Sequence, residues 1–198
     1  MTLDQYRSRA KVFTDPLVSI AIKCRITPNI LTIAALLASA AAGIFFYLRL
    51  ELWGIVAVAV NAFCDMMDGA VAREMKTQSL RGDFLDHAVD RYADIFIICG
   101  LFAGGLVPWP IGVFALTGVL MSSYLGTQAQ AVGVGRFYGG LLGRADRLVL
   151  IMVVGIIGLI FPVTIYGLSW LGWLLVLFGI FGHITAFQRA AYVWAKVE

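Results

Sequence analysis

Four aspartates at helical spacing are the residues best suited to chemistry in this sequence. Asp65 and Asp68 lie three residues apart, and Asp86 and Asp90 lie four apart, so each pair shares one face of a helix. Four carboxylates form an all-oxygen, hard ligand set, which favours Mg²⁺ or Mn²⁺ and is large enough for two ions. Ion pairing of solvated helix ends would not require shared faces. We therefore predict a metal site formed by these four residues.

The acids interrupt stretches that are otherwise apolar enough to cross a bilayer. Of the 198 residues, 61% are hydrophobic, and the mean hydropathy is +0.88, far above that of a soluble domain. A charged side chain inside hydrocarbon costs about 3 kcal/mol or more, so intramembrane acids mark a functional site. We expect an all-α integral membrane protein whose acids lie at one end of its second and third membrane helices.

Six apolar stretches predict six transmembrane helices. They are 30–48, 52–64, 95–107, 111–134, 148–161 and 163–187. The acid-rich segments 65–73 and 83–94 are expected to continue the second and third helices, and a tight antiparallel connection over 74–82 should bring the four carboxylates into one cavity. Every Lys and Arg except Arg49 falls on one side of this arrangement. Both termini and the acids are therefore expected to be cytoplasmic.

The chain reads as a single domain, 1–198, in which residues 1–27 precede the six-helix bundle of 28–198. Segments 14–16 (Thr-Asp-Pro) and 27–29 (Thr-Pro-Asn) each place a capping residue before a proline, which predicts two helix starts. We expect residues 1–27 to form helices along the cytoplasmic membrane interface. Without a short apolar core and a small-residue cleavage site, no removable signal peptide is expected.

Other residue types predict no further site. His87 and His183 have no second His or Cys at ligand spacing, so we interpret them as packing or rim residues. Cys24, Cys64 and Cys99 lack CxxC spacing and indicate neither disulfides nor zinc. The basic residues follow the cytoplasmic rim without interleaved aromatics, which argues against a nucleic-acid partner.

The acid pattern resembles the signature of the CDP-alcohol phosphotransferase family. The pattern is Asp65-x-x-Asp68-Gly69-x-x-Ala72-Arg73, eight residues, then Gly82-x-x-x-Asp86-x-x-x-Asp90, and it agrees at every fixed position. Residues 27–90 carry the resemblance most strongly. It implies transfer, dependent on Mg²⁺ or Mn²⁺, of a substituted phosphoryl group from a CDP-linked lipid to an alcohol, with release of CMP. It also implies a homodimer, which glycines at 100, 104, 105, 112 and 118 would allow by close helix approach.

The resemblance further implies individual roles. Asp65, Asp68 and Asp86 would hold the metal, and Asp90 would act as general base as well as ligand. The residues implied in CDP-lipid binding are Pro28, Asn29, Thr32, Asp68, Gly69, Ala72, Arg73 and Gly82. From the residues alone, the TPNILT segment is a helix cap, and both interpretations stay open. Glycines at 69 and 82 lower helix propensity by about 1 kcal/mol each relative to Ala, which fits close approach of a ligand.

A glycine- and arginine-rich loop predicts recognition of a phosphorylated acceptor. The segment 133–147, GVGRFYGGLLGRADR, contains five glycines and three arginines, which suit phosphate binding; positive-inside topology alone would also place arginines there. We expect Arg136, Arg144, Arg147 and Arg189 to bind the acceptor phosphate. With Asp146 and the preceding LGTQAQAVG, the three loop arginines resemble the inositol-phosphate-using branch of the family, which implies inositol 1-phosphate; glycerol 3-phosphate is the alternative.

Two other function classes use carboxylates on membrane helices. In a polyprenyl transferase, Asn61-x-x-x-Asp65 would pair with the acids of the next helix, but that class needs more spans and leaves Arg73 unexplained. A divalent-cation transporter would need acids near the midplane and a path on both sides. Here two of the three outer loops are uncharged, and the third offers Arg49 and Glu51. Release of CMP or flux of ions would separate the classes.

Overall fold

The computed structural model describes residues 7–135 and 139–197, with side chains from residue 14 onward. The described chain forms seven helices: α1 (Arg7–Lys23), α2 (Pro28–Tyr47), α3 (Glu51–Glu74), α4 (Leu80–Ala103), α5 (Trp109–Ala131), α6 (Arg144–Ile160) and α7 (Trp170–Trp194). No strand occurs in these ranges, where the β-type pairing is one isolated bridge between Ile165 and Leu168. The predicted all-α fold is confirmed.

The acid-bearing segments continue α3 and α4, as the sequence predicted. Helix α3 extends past its apolar half to Glu74, and α4 begins at Leu80, so a five-residue connection reverses the chain. The hydroxyl of Ser79 accepts a hydrogen bond from the N–H of Gly82 at 3.1 Å and caps α4. This short connection brings the acidic ends of the two helices side by side.

One of the two predicted N-terminal helix starts is correct and one is wrong. Thr27 caps α2, with its hydroxyl accepting from the N–H of Ile30 at 3.4 Å, and Pro28 is the first helical residue. Pro16, however, lies inside α1. A proline removes a single N–H donor from a helix, and α1 beyond Pro16 is held by burial of Val18 and Ala21 in an apolar cluster with Met67 and Val71 of α3.

The remaining helices pack in two groups, which are joined by α6 and by direct contact of α4 with α5. Helix α2 packs against α3 and α4, α5 packs against α7, and α6 contacts both α3 and α7. Glycine permits the closest crossings: a methyl group at Gly43 of α2 would lie 2.5 Å from the carbonyl oxygen of Phe96 on α4, and one at Gly118 of α5 would lie 2.8 Å from that of Gly179 on α7.

The glycines suggested for a dimer interface pack within the chain. Gly100 and Gly104 face the backbone of α2, and Gly118 faces α7. Gly112 lies against the ring of Phe102, and Gly105 lies beside the side chain of Arg49. Their close contacts are therefore explained by one subunit and give no separate support for a dimer.

Four helices of the described chain, α2, α3, α5 and α7, are long and apolar enough to cross a membrane. Many large apolar side chains also lie on the outside of the bundle, among them Leu37, Trp53 and Phe187. Such a surface suits lipid rather than water. The chain is a membrane protein. Helices α4 and α6 do not meet the same length and hydropathy criteria, because α4 carries ionisable residues along its first half and α6 has only 17 residues.

Candidate active site

Three of the predicted metal ligands meet where α3 and α4 approach each other. Asp65, Asp68 and Asp86 each present a carboxylate oxygen, and these oxygens lie within 4.8 Å of one another. We call these three residues the acid cluster. An all-oxygen donor set of this size fits a hard divalent cation such as Mg²⁺ or Mn²⁺. The predicted convergence of the two acidic helix ends is confirmed for these residues.

Asp90, the fourth predicted residue, lies one turn further along α4. A carboxylate oxygen of Asp90 lies within 4.8 Å of ligand atoms of Asp86 and His87. His87 also approaches Asp83 at 3.4 Å and Asp86 at 4.0 Å. We interpret this histidine from the sequence as a packing or rim residue, and the structure adds a potential nitrogen ligand at the edge of the acid cluster.

Arg144 joins α6 to the acids of both α3 and α4. Its Nη1 lies 2.7 Å from Oδ1 of Asp65 and 2.9 Å from Oδ1 of Asp90. The side chain of Arg144 is 12% exposed and that of Asp90 is 13% exposed, so the pair with Asp90 is shielded from water, whereas Asp65 is 31% exposed. Arg144 is the first residue of α6, whose start is fixed by Asp146 accepting from the N–H of Gly143 at 3.0 Å. One guanidinium thus compensates part of the negative charge of two helices.

Arg147 forms a second buried ion pair, with a carboxylate that the sequence analysis missed. Its Nη2 donates to Oδ2 of Asp94 at 3.1 Å, and each side chain is 6% exposed. Arg91 also approaches Asp94, at 3.4 Å, and Asp90, at 3.7 Å. Asp94 continues the i, i+4 series from Asp86 and Asp90, which places all three on one face of α4. That spacing is the signal that could have identified it.

The residues assigned to CDP-lipid binding lie at the start of α2 and along α3. Thr32 reaches the acid cluster, because its hydroxyl donates to Oδ2 of Asp68 at 2.7 Å. Along α3, a methyl group at Gly69 would lie 3.2 Å from Nη1 of Arg73. The missing side chain therefore leaves room for the guanidinium of an exposed arginine on the following turn. Pro28 and Asn29 form the first turn of α2, Ala72 is half-buried on α3, and Gly82 lies in the first turn of α4 next to Ser79.

Arg189 is engaged with backbone carbonyls near the glycine-rich loop. Its Nε donates to the carbonyl of Gly139 at 2.8 Å, and Nη1 donates to that of Ser122 at 2.5 Å. Thr185, one turn earlier on α7, accepts from the N–H of Leu141 at 3.2 Å. These hydrogen bonds hold the segment that precedes Arg144 against α7. Arg136 lies outside the described residues.

Comparison with known proteins agrees with this arrangement. The model of the CDP-alcohol phosphatidyltransferase family matches residues 25–184, and the chain belongs to this family. It is therefore an enzyme of the CDP-alcohol phosphotransferase class, and the resemblance predicted from the aspartate signature is confirmed. The polyprenyl transferase and transporter alternatives receive no support from this match.

Two archaeal relatives are similar over most of their length. The chain is 35% identical over 149 residues to the archaetidylinositol phosphate synthase of Pyrococcus horikoshii, covering 75% of this chain and 79% of the relative. It is 31% identical over 197 residues to the archaetidylinositol phosphate synthase of Methanothermobacter thermautotrophicus, covering 99% and 96% of the two chains.

A solved bacterial structure shares the fold. The phosphatidylinositol phosphate synthase of Mycobacterium tuberculosis with CDP-DAG bound superposes with a TM-score of 0.78 at 27% identity, covering 91% of this chain and 93% of that one. Its crystal structure in complex with manganese and citrate gives a TM-score of 0.77, covering 90% and 88%. Together with the acid cluster, the manganese complex supports use of a divalent metal by this family member.

The buried Asp94 pair yields a stability prediction. The change Asp94→Asn removes the charge that compensates Arg147, and breaking a buried pair costs about 3–5 kcal/mol. We expect a loss of about 3 kcal/mol in the free energy of unfolding, measured by denaturant titration in detergent. Asp83→Asn is the matched control on the same helix, because its side chain is 55% exposed, and it should cost less than about 1 kcal/mol. Equal losses in both variants would contradict the assignment.

Proposed function

We propose that the protein transfers a lipid-phosphoryl group from a CDP-linked lipid, CDP-archaeol or CDP-diacylglycerol, to a hydroxyl of inositol 1-phosphate, releasing CMP. The observation that carries the proposal is the meeting of the acid cluster with Arg144 at the junction of α3, α4 and α6. Carboxylates suit the metal-bound pyrophosphate of the donor, and arginines suit a phosphorylated acceptor. The names of the two archaeal relatives support inositol phosphate over glycerol 3-phosphate, which is the alternative acceptor.

The acids would bind metal and activate the acceptor. Asp65, Asp68 and Asp86 would hold one or two divalent ions, together with an oxygen of Asp90. When bound, such ions neutralise the pyrophosphate and the charge that develops on departing CMP. Asp90 would accept the proton of the acceptor hydroxyl. The hydroxyl oxygen of the acceptor would then bond to the lipid-bearing phosphorus while the bond from that phosphorus to CMP breaks.

Donor binding is proposed for the start of α2 and the turns beside the acid cluster. Pro28 and Asn29 would lie along the nucleotide, and Thr32, one turn on, would act through Asp68, to which its hydroxyl donates. Gly69 and Ala72 leave space on α3, and the exposed Arg73 could pair with a phosphate oxygen as a permanently charged, planar donor. Gly82 would allow the start of α4 to approach the same ligand.

The acceptor pocket is proposed to use the arginines of α6 and α7. Arg144 and Arg147 lie at the buried end of the glycine-rich segment, and Arg136 belongs to the same segment. Arg189 would contact the acceptor phosphate as well, and its bond to the carbonyl of Gly139 holds the backbone of that segment.

The membrane arrangement is also a proposal. We expect α2 to α7 to form six spans, with α1 along the interface and with both termini and the site in the cytoplasm. The distribution of Lys and Arg supports this orientation. Thiol labelling of Tyr166→Cys, in the outer connection between α6 and α7, should succeed from outside intact cells, and labelling from the cytoplasmic side alone would contradict it.

The first functional prediction separates ligands from base. Asp65→Asn, Asp68→Asn and Asp86→Asn should each weaken Mn²⁺ binding and abolish CMP release, because each removes an anionic ligand. Asp90→Asn should keep most of its Mn²⁺ affinity while turnover falls by about 100-fold or more. Glu51→Gln, a carboxylate change at the far end of α3, is the control and should alter neither quantity. Equal loss of metal affinity in all four Asp variants would make Asp90 a ligand without a separate role as base.

The second prediction concerns the acceptor. CMP release by purified protein, with Mg²⁺ or Mn²⁺ and either CDP-lipid, should be fastest with inositol 1-phosphate in a panel that includes glycerol 3-phosphate, free inositol and serine. Arg147→Ala should raise the acceptor KM by about 10-fold or more, since a charge-assisted contact contributes about 1.5–3 kcal/mol. The KM is measured on protein shown by denaturant titration to be folded, because this change also leaves the buried Asp94 without its partner. The KM for CDP-lipid should change little.

Arg49→Ala is the matched control, because Arg49 lies in the connection between α2 and α3 and donates to the carbonyl of Gly105 at 2.7 Å. It should leave the acceptor KM unchanged. Preference for free inositol or serine, unaffected by Arg147→Ala, would contradict the phosphate pocket and leave the family assignment standing.

A homodimer is proposed on family resemblance. Mass measurement in mild detergent and in nanodiscs should give twice the mass of the 198-residue chain. A monomer under both conditions would contradict it.

A further inference from the structure

We infer that Thr32 is a positioning residue whose hydroxyl orients Asp68 within the acid cluster, rather than a contact to the nucleotide. The side chains meet across the α2–α3 interface, with Oγ1 of Thr32 2.7 Å from Oδ2 of Asp68. Both residues are buried, Thr32 with 5% and Asp68 with 7% of its surface exposed. The inference rests on the proposed metal site, because it assigns a function to the orientation of one of its ligands.

The Thr32 hydroxyl has one proton and two acceptors within reach, and the hydrogen bond to the Asp68 carboxylate is the stronger of the two. Oγ1 of Thr32 also lies 3.1 Å from the carbonyl of Pro28, one turn earlier in its own helix. A threonine in a helix can rotate to bond that carbonyl, but a hydrogen bond to a carboxylate is charge-assisted, shorter and stronger. Donation to Oδ2 fixes the orientation of the Asp68 carboxylate. The lone pairs that do not accept this bond then point in defined directions.

A second buried contact holds the two helices in the register that this bond needs. The side-chain amide of Asn61 donates from Nδ2 to the carbonyl of Ala35 at 2.8 Å, and both residues are almost fully buried. Ala35 follows Thr32 by one turn of α2, and Asn61 precedes Asp68 by two turns of α3 on the same face. These two polar contacts, Thr32 to Asp68 and Asn61 to Ala35, restrict sliding of α2 along α3. The position of the Thr32 hydroxyl relative to Asp68 is therefore fixed.

A group that holds a ligand in place affects metal affinity without touching the metal. Loss of such a partner costs about 10–100-fold in affinity or activity in well-studied metal sites. Thr32 would therefore influence catalysis through Asp68. Loss of a nucleotide contact would instead weaken CMP affinity even when the metal site is saturated.

The test compares Thr32→Val with Thr32→Ser. Valine keeps the shape of threonine and lacks the donor, whereas serine keeps the donor. We expect Mn²⁺ affinity, measured by electron paramagnetic resonance on purified protein without nucleotide, to fall about 10-fold or more in Thr32→Val and to be largely restored in Thr32→Ser. CMP affinity at saturating Mn²⁺ should be close to that of the unmodified protein in both variants. Ser39→Ala is the control on α2, because the Ser39 hydroxyl donates to the carbonyl of Leu36 in its own helix at 2.7 Å.

The outcomes separate the inference from the function on which it rests. Unchanged Mn²⁺ affinity in Thr32→Val overturns the inference, and weakened CMP affinity with unchanged Mn²⁺ affinity does so in favour of a nucleotide contact. Absence of Mn²⁺ binding by the unmodified protein overturns the proposed metal site itself. If Thr32→Val does not fold, Thr32→Ala removes the same donor with less volume, and its Mn²⁺ affinity decides the question in the same way.

Discussion

Repulsion among closely spaced carboxylates is the constraint on which the arrangement of this bundle depends. Two anions 4.8 Å apart, the outer limit of the oxygen separations in the acid cluster, repel by about 3.5 kcal/mol at an effective dielectric constant near 20. Asp90 and Asp94 add to this charge on the same face of α4. The helices can remain together because cations meet the acids, with Arg144 between Asp65 and Asp90 and Arg147 on Asp94. This excess of negative charge raises the free energy of the folded state, and it also makes the site suited to a divalent metal ion.

The acids and the segment that leads into α6 are positioned by different groups of helices. Helices α3 and α4 carry the acids, and α2 is fixed against both by buried polar contacts and glycine crossings. Helix α7 packs on α5 and fastens the backbone before α6 through Thr185 and Arg189. Helix α6 contacts both groups and presents its arginines to the acids. The two groups therefore meet through the packing of α4 on α5 and through the ion pairs of α6 with the acids of α3 and α4.

Local features were predictable from the sequence, and pairings between distant helices were not. The shared faces of the aspartates follow from helical spacing, and a five-residue connection leaves little choice in how α3 and α4 meet. The predicted helix start before Pro16 failed because one lost hydrogen bond did not end α1. The bonds of Thr32 to Asp68 and of Arg147 to Asp94 join residues 36 and 53 positions apart. Such pairings depend on the rotation of each helix about its axis, which hydrophobic periodicity fixes only coarsely.

The order of the pairing residues along the chain has a consequence for biosynthesis. The acids of α3 and α4 are all made before the arginines of α6, and fifty residues separate Asp94 from Arg144. At about 5–20 residues per second, the ribosome takes roughly 3–10 s to add them. During that interval the nascent α3–α4 hairpin has neither Arg144 nor Arg147 as a counter-ion, so its charged end is best kept in water at the membrane edge. Completion of α6 then supplies the charges that allow this end of the hairpin to become buried.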